Sequence, residues 1–275
     1  MTFTQIRNVE QGSEQWHSLR RGIVTASVVG KLLTVEAPSA SNYDCPNCLA
    51  PAGQPCVSRS RKEATPIKSM HSERVALAQS KAKDAPPIIS VADNETSRAL
   101  TATLVAERIT GFTEDTPMSR DMNRGVWSEP FARDLYSQHH APVTEVGFMR
   151  HDGDGWTLGY SPDGLVGDDG LIEIKAPRSK TQVLTVLTDD VPAHYMPQCQ
   201  AGLLASGRKW LDFVSYAGGL HLYVKRVLPD PAWFAAIEAA CRNFETNAAA
   251  MVADYHKCVT GRPLAPRIDF ELEVI

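Results

Sequence analysis

Apolar residues along this chain recur with two different periods. Between residues 143 and 175, short alternating runs, VTEVGFMR, WTLGY and LIEIK, are separated by Gly and Asp turns. A period of two predicts antiparallel strands, and GDDG between LV and LIEIK marks a hairpin. LDFVSY and LHLYVKRV read as two more strands. Elsewhere the spacing is helical. TSRALTATLVAERITG sets Leu100, Leu104 and Ile109 on one face, with Gly111 as its C′ residue. Further helices are predicted from Ser128 (as N-cap) to Gln138, from His194 to Ser206, and along PAWFAAIEAACRNFETNAAAMVADY, where Trp233, Ile237 and Phe244 point inward. Near the start, Ser13 and Glu14 lead into Trp16 and Leu19, and after Gly22 the stretch TASVVGKLL predicts a helix capped by Thr25 or Ser27. This order predicts an α/β fold, a mixed central sheet flanked by helices.

One stretch breaks the pattern. Residues 35–95 are rich in Pro, Ser, Asn, Cys and charge, and read as an insertion with its own small structure. The expected division is a core formed by 1–34 and 96–275 around that insertion. At 275 residues, 43% of them apolar and 22% charged, the chain has the composition of a soluble globular protein with room for a substantial core. No signal pattern opens it and no apolar run has membrane-spanning length, so a cytoplasmic protein is expected. A net charge of −4 excludes a polycation that coats nucleic acid. A local basic track beside metal-neutralised carboxylates is compatible with that total.

The stretch SPDGLVGDDGLIEIK, Ser161 to Lys175, carries the candidate chemistry. Side chains on a strand alternate faces, so Ile172 and Ile174 enter a core while Glu173 and Lys175 share the other face. Asp163, at the end of the adjoining strand, meets Glu173 across the ladder, and the backbone carbonyl of Ile174 is a natural third oxygen ligand. Hard oxygen donors indicate Mg²⁺, with Mn²⁺ as a substitute. A general base supplies about 10²–10⁴-fold, whereas enzymes span about 10⁶–10¹⁷-fold, so Lys175 needs the metal to cleave a phosphodiester. The competing reading is a surface hairpin with solvated acids, since both Asp-Gly turns and Glu-x-Lys pairs are common.

Four blocks in order resemble the lambda-exonuclease/YqaJ-type phage recombination nucleases, which have the PD-(D/E)xK restriction-endonuclease-like fold. They are VEQGSEQWHSLRRGIVTAS, RGVWSEPFARDLY, SPDGLVGDDGLIEIKAP and YMPQCQAGLLASG. The resemblance implies that Asp163 and Glu173 bind metal and that Lys175 is the catalytic lysine. It implies that Glu129 completes the acidic site, that Gln198 holds the water or the phosphate, and that Tyr195 lines the pocket. It also implies that Arg20 contacts the phosphate of a DNA end, with hydroxyls from Thr25 and Ser27. Taken alone, Glu129 is an acid favoured in a helix's first turn, Tyr195 a core tyrosine, and Thr25 and Ser27 helix caps.

The insertion carries a second motif, C-x2-C-x7-C-x14-H, through Cys45, Cys48, Cys56 and His71. This spacing fits a structural Cys₃His zinc site, which folds a segment too small and polar for a core of its own. It resembles small zinc modules of actinobacterial phage proteins. An iron–sulfur cluster would need a fourth thiolate, and Cys199 and Cys241 fall within predicted helices, where buried thiols are ordinary. Arg59, Arg61, Lys62, Lys68 and Arg74 make a local basic excess suited to duplex phosphates.

Together these readings describe an Mg²⁺-dependent double-strand DNA exonuclease with a structural Zn²⁺ module, acting inside a bacterial host cell. From the resemblance come 5′ to 3′ polarity, a single-strand annealing protein as partner, and a homo-oligomer, the family's ring-shaped trimer. Two alternatives use the same residues: an endonuclease or nickase that needs no DNA end, and a non-catalytic DNA-binding scaffold.

Overall fold

Two principal sheets organise residues 2–58, 64–82, 85–114 and 118–267, which this computed structural model describes. The chain starts with β1 (Thr2–Ile6), which the sequence pattern did not indicate. In α1 (Glu14–Arg20), Ser13 caps the helix by accepting the Trp16 amide hydrogen. The helix expected from Thr25 or Ser27 does not form. Instead β2 (Val24–Thr25) is followed by a 3-10 turn over Val29–Leu32 and by β3 (Leu33–Glu36). Val24, Thr25, Val28 and Val29 are β-branched, and Val24 and Val29 are fully buried, so strand packing outweighs the helical spacing there.

A segment of short elements follows. It contains a 3-10 turn (Ala40–Asn42), the paired β4 (Val57–Ser58) and β5 (Thr65–Pro66), and α2 (Ser72–Lys81). β6 (Ile88–Val91) then pairs antiparallel with β3, with Ile88 opposite Glu36. The expected boundary between residues 34 and 35 falls inside β3.

α3 (Glu95–Thr110) starts on a reciprocal Asn94–Ser97 capping box and stops at Gly111, whose φ of 65° places it in the left-handed region. α4 (Arg120–His139) begins at Ser119 rather than Ser128 and runs through Pro130. Gly125 and Pro130 are local breakers, and tertiary packing of Ala132 and Tyr136 carries the helix across them.

The remaining elements are β7 (Val143–Thr144), β8 (Phe148–Gly153), β9 (Trp156–Tyr160), β10 (Gly164–Val166), β11 (Gly170–Lys175), α5 (Ser179–Thr188), α6 (Met196–Ser206), β12 (Trp210–Ser215), β13 (Tyr223–Val227) and α7 (Pro231–Cys258). One sheet has the order β1-β8-β9-β2 and the other β13-β12-β11-β10-β7. The α/β class expected from the sequence holds, with the core strands divided between these two principal sheets rather than joined in one. The chain passes between them at Ser161-Pro162-Asp163, where Pro162 has no N–H to continue a ladder.

β11 is antiparallel to β10 and parallel to β12, with neighbours on both sides. Ile172 and Ile174 pack with Ala132 and Tyr136 of α4, while Leu171 joins the larger core formed with α6 and α7. Trp233, Ile237 and Phe244 of α7 all enter that core, as their spacing predicts. No helix among the described residues is long and apolar enough to cross a membrane.

Candidate active site

Glu173 stands at the middle of β11 and is only 1% exposed. A buried carboxylate requires compensation. Three donors supply it: the Lys175 ammonium (2.6 Å) and the Gln198 amide on Oε1, and the Tyr160 hydroxyl (3.0 Å) on Oε2. Strand alternation brings Glu173 and Lys175 to one face, Gln198 comes from α6, and Tyr160 ends β9. Burial pushes the Lys175 ammonium down, but Glu173 and Asp163 outweigh it and hold the group above the usual lysine range. Lys175 Nζ also stands 5.5 Å from the centre of the Tyr195 ring.

Asp163 lies at the sheet-to-sheet crossing. Gly164 pairs with Ile172, so Asp163 falls one step further along the hairpin, beside Glu173. Its Oδ2 accepts the Ile174 amide hydrogen at 2.6 Å. Burial, and next the charge of Glu173, push the Asp163 carboxyl well above the usual range despite Lys175. Glu129 on α4 is raised too, mainly by burial and against the pull of Arg133. The site is therefore rich in hard oxygen donors and short of positive charge, which fits a divalent cation held by Asp163, Glu173 and Glu129. These carboxylates are not gathered as tightly as the thiol cluster described below.

Arg133 was not anticipated. One helical turn after Glu129, it pairs with that carboxylate, donates from Nε to the Asp163 carbonyl (2.9 Å), and reaches Glu145 (2.9 Å). Its i, i+4 spacing from Glu129 was the available signal. Tyr160 and Ser161 were likewise missed.

Arg20 meets the same region from the amino-terminal block. Its guanidinium lies 4.1 Å over the Trp16 ring and donates to the hydroxyls of Ser161 (3.1 Å) and Ser27 (3.2 Å). Trp16 Nε1 donates to Ser161 as well (2.8 Å), and Thr25 and Ser27 hydroxyls are 3.1 Å apart. Neither Thr25 nor Ser27 caps a helix. Burial lowers Arg20 to about 10, with Glu107 opposing. Arg20, Thr25, Glu129, Arg133 and Asp163 line one cleft of about 1350 Å³.

The second centre is compact. Ligand atoms of Cys45, Cys48, Cys56 and His71 all lie within 4.8 Å of one another, as a tetrahedral Cys₃His zinc site requires. Cys45 Sγ is 3.4 Å from His71 Nδ1. Burial would raise Cys48, but the amides of Val57 and Ala50, together with Cys45 and His71, bring it down to about 6, favouring the thiolate that metals bind. Arg74 is not the surface DNA contact expected from its charge. It is fully buried, and donates to the carbonyls of Tyr43 (2.7 Å), Gln54 (2.8 Å) and Pro51 (3.0 Å) and to Cys56 Sγ (3.5 Å). Arg59, Arg61 and Lys62 lie outside the described residues.

Residues 74–209 match the family described as "YqaJ-like viral recombinase domain", and residues 15–89 match a "Putative DNA-binding phage zinc finger domain". No curated protein matches. The chain is similar in structure to LHK-Exo, an alkaline exonuclease from Laribacter hongkongensis, with 26% identity, coverage of 90% of this chain and 98% of that chain, and a TM-score of 0.64. LHK-Exo in complex with dAMP is similar at 27% identity, with the same coverage and a TM-score of 0.63.

Proposed function

Because the chain belongs to the lambda-exonuclease/YqaJ-type nucleases of PD-(D/E)xK fold and carries an inserted Cys₃His zinc module, we propose that it is a metal-dependent deoxyribonuclease that degrades one strand of duplex DNA from an end. The observation that carries this reading is the Glu173 network: Lys175, Gln198 and Tyr160 converge on a buried carboxylate beside Asp163, whose own carboxylate is held by the Ile174 amide. A merely solvated surface hairpin has no reason to bury a carboxylate.

In this mechanism Asp163, Glu173, Glu129 and the Ile174 carbonyl would hold Mg²⁺, or Mn²⁺ in its place. When bound, the ion supplies Lewis-acid stabilisation of charge developing on the phosphate. Lys175, held as an ammonium by Glu173 and Asp163, orients the attacking water and stabilises the charge that develops on the phosphate, and Gln198 holds that water or the phosphate. Arg20, placed over the Trp16 ring, pairs with the phosphate of the DNA end. Thr25 and Ser27 add hydroxyl donors, and Tyr195 forms the wall behind Lys175. The dAMP held by LHK-Exo is a nucleotide of the kind such a reaction releases.

The zinc module, the segment between β3 and β6 within the expected insertion 35–95, holds structural Zn²⁺ through Cys45, Cys48, Cys56 and His71 and touches duplex DNA through Arg59, Arg61, Lys62 and Lys68. Polarity of 5′ to 3′, a ring-shaped trimer, and delivery of the exposed strand to a single-strand annealing protein in homologous recombination follow from the family alone.

End-labelled linear duplex, with and without a 5′ phosphate, tests the proposal beside a covalently closed circle. Loss of nucleotides from the 5′ end of linear DNA, dependent on added Mg²⁺, is the expected result. Cutting of the closed circle would convert the reading to an endonuclease, and an Asp163→Ala protein as active as the parent would remove the mechanism.

A further inference from the structure

Arg133 makes three contacts of unequal permanence. Its side chain is 14% exposed, and its Nε bond to the Asp163 carbonyl anchors it to the backbone beside the site. Of its two carboxylate partners, Glu129 is 27% exposed and faces the other acids of the site. Glu145 is 73% exposed, in the loop after β7. Among the described residues, the cations in ion pairs with the site carboxylates Glu129, Asp163 and Glu173 are Lys175, on Glu173, and Arg133, which occupies an oxygen of Glu129. A planar guanidinium with separate donors can give up one partner while retaining the others. Lysine has no such geometry.

We propose that Arg133 is a positioning residue that acts as a placeholder: it neutralises Glu129 when no divalent cation is bound, and releases that carboxylate when one binds. On release it keeps the Asp163 carbonyl and Glu145. The proposal rests on the nuclease reading of the site. It assigns Glu145, which no motif singled out, as the partner that retains the guanidinium once Glu129 is released. Arg133 is then a competitor of the metal, and its removal raises the affinity of the site. A residue serving only to brace Glu129 would have the opposite effect, because its loss would scatter the ligands.

Mn²⁺ binding to the zinc-loaded full chain without DNA, followed by calorimetry or electron paramagnetic resonance, separates the two. Asp163→Asn identifies the share of Mn²⁺ uptake that belongs to this site. Arg133→Gln is expected to bind Mn²⁺ about three- to tenfold more tightly, the result of removing a unit charge a few ångströms from the ion. Glu145→Gln, an exposed change with no folding role, is expected to weaken binding. In the double variant that penalty shrinks, because there is no guanidinium left to retain. Unchanged or weaker binding by Arg133→Gln overturns the placeholder while leaving the nuclease reading intact, as does an unaltered Glu145→Gln. No Asp163-dependent uptake in the parent removes both.

Discussion

Glu173 and Cys48 are both nearly enclosed, at 1% and 7% exposure, yet their surroundings are built in opposite ways. Around Glu173, the partners come from β9, β11 and α6, and Arg20 and Glu129 approach from α1 and α4, far apart along the chain. These elements are held by a large apolar core that exists without any ion. Around Cys48, all four ligands come from one short segment whose apolar cluster consists of the three cysteines and Ala50, with Val57 and Ile67 against it. There the ligands are the core. The difference teaches that the Glu173 site has a scaffold built without help from any ion, whereas in the Cys₃His module a zinc ion takes the scaffold's place.

The largest expected effect tests that contrast directly. Removing zinc, or replacing Cys48 by Ser, should unfold residues 37–87 locally while the main melting transition persists; hydrogen exchange and limited proteolysis would map the loss. If the module stays protected without zinc, the contrast collapses. On the other side, Lys175→Ala should lower nuclease activity by about 10²–10⁴-fold. It should also destabilise the core by about 3–5 kcal/mol, since Glu173 would lose its buried cation. Denaturant melts beside steady-state kinetics would check both.

A smaller effect is expected at Arg74. Arg74→Leu leaves several carbonyls without a donor, and should cost the module about 3 kcal/mol in local stability, read as faster amide exchange, with DNA salt dependence unchanged. The smallest effect on stability sharpens the comparison by its sign. Folding raises the Asp163 carboxyl above its unfolded value, so the ionised group costs stability that is absent below the unfolded pKa and fully felt above the folded one. Asp163→Asn should therefore abolish activity yet raise Tm by about 2–4 °C per kcal/mol relieved, at pH 8 without added Mg²⁺, and by nothing near pH 3. A lowered Tm at pH 8 would contradict the charge crowding around the site.

Features depending on near neighbours were legible in the sequence. The Cys-x2-Cys spacing, the Glu173/Lys175 alternation, Gly111 as a helix stop and the inward face of α7 all use fixed short periods. Features decided by distant contacts were not. The helix expected to start at Ser128 starts instead after Ser119 and crosses Gly125 and Pro130, with Ala132 and Tyr136 buried against Ile172 and Ile174 of β11. TASVVGKLL has helical spacing, yet its β-branched residues pair and pack as strand and turn. Arg74 and Arg133 look like surface charges, since nothing in a linear pattern announces which backbone carbonyls will surround them. The Trp16–Ser161 and Arg20–Ser161 bonds span more than a hundred residues, and only the family resemblance hinted that those blocks meet.

The pairing of β3 with β6 has a practical meaning. Glu36 and Ile88 are cross-strand partners, so the chain leaves the core and re-enters it about 5 Å away. A site where both ends are already side by side accepts a replacement of almost any length without moving the helices behind it. The segment between Glu36 and Ile88 is in that sense an exchangeable socket. A tight turn placed there would give a minimal enzyme, and a fluorescent reporter or a different DNA reader would give a retargeted one.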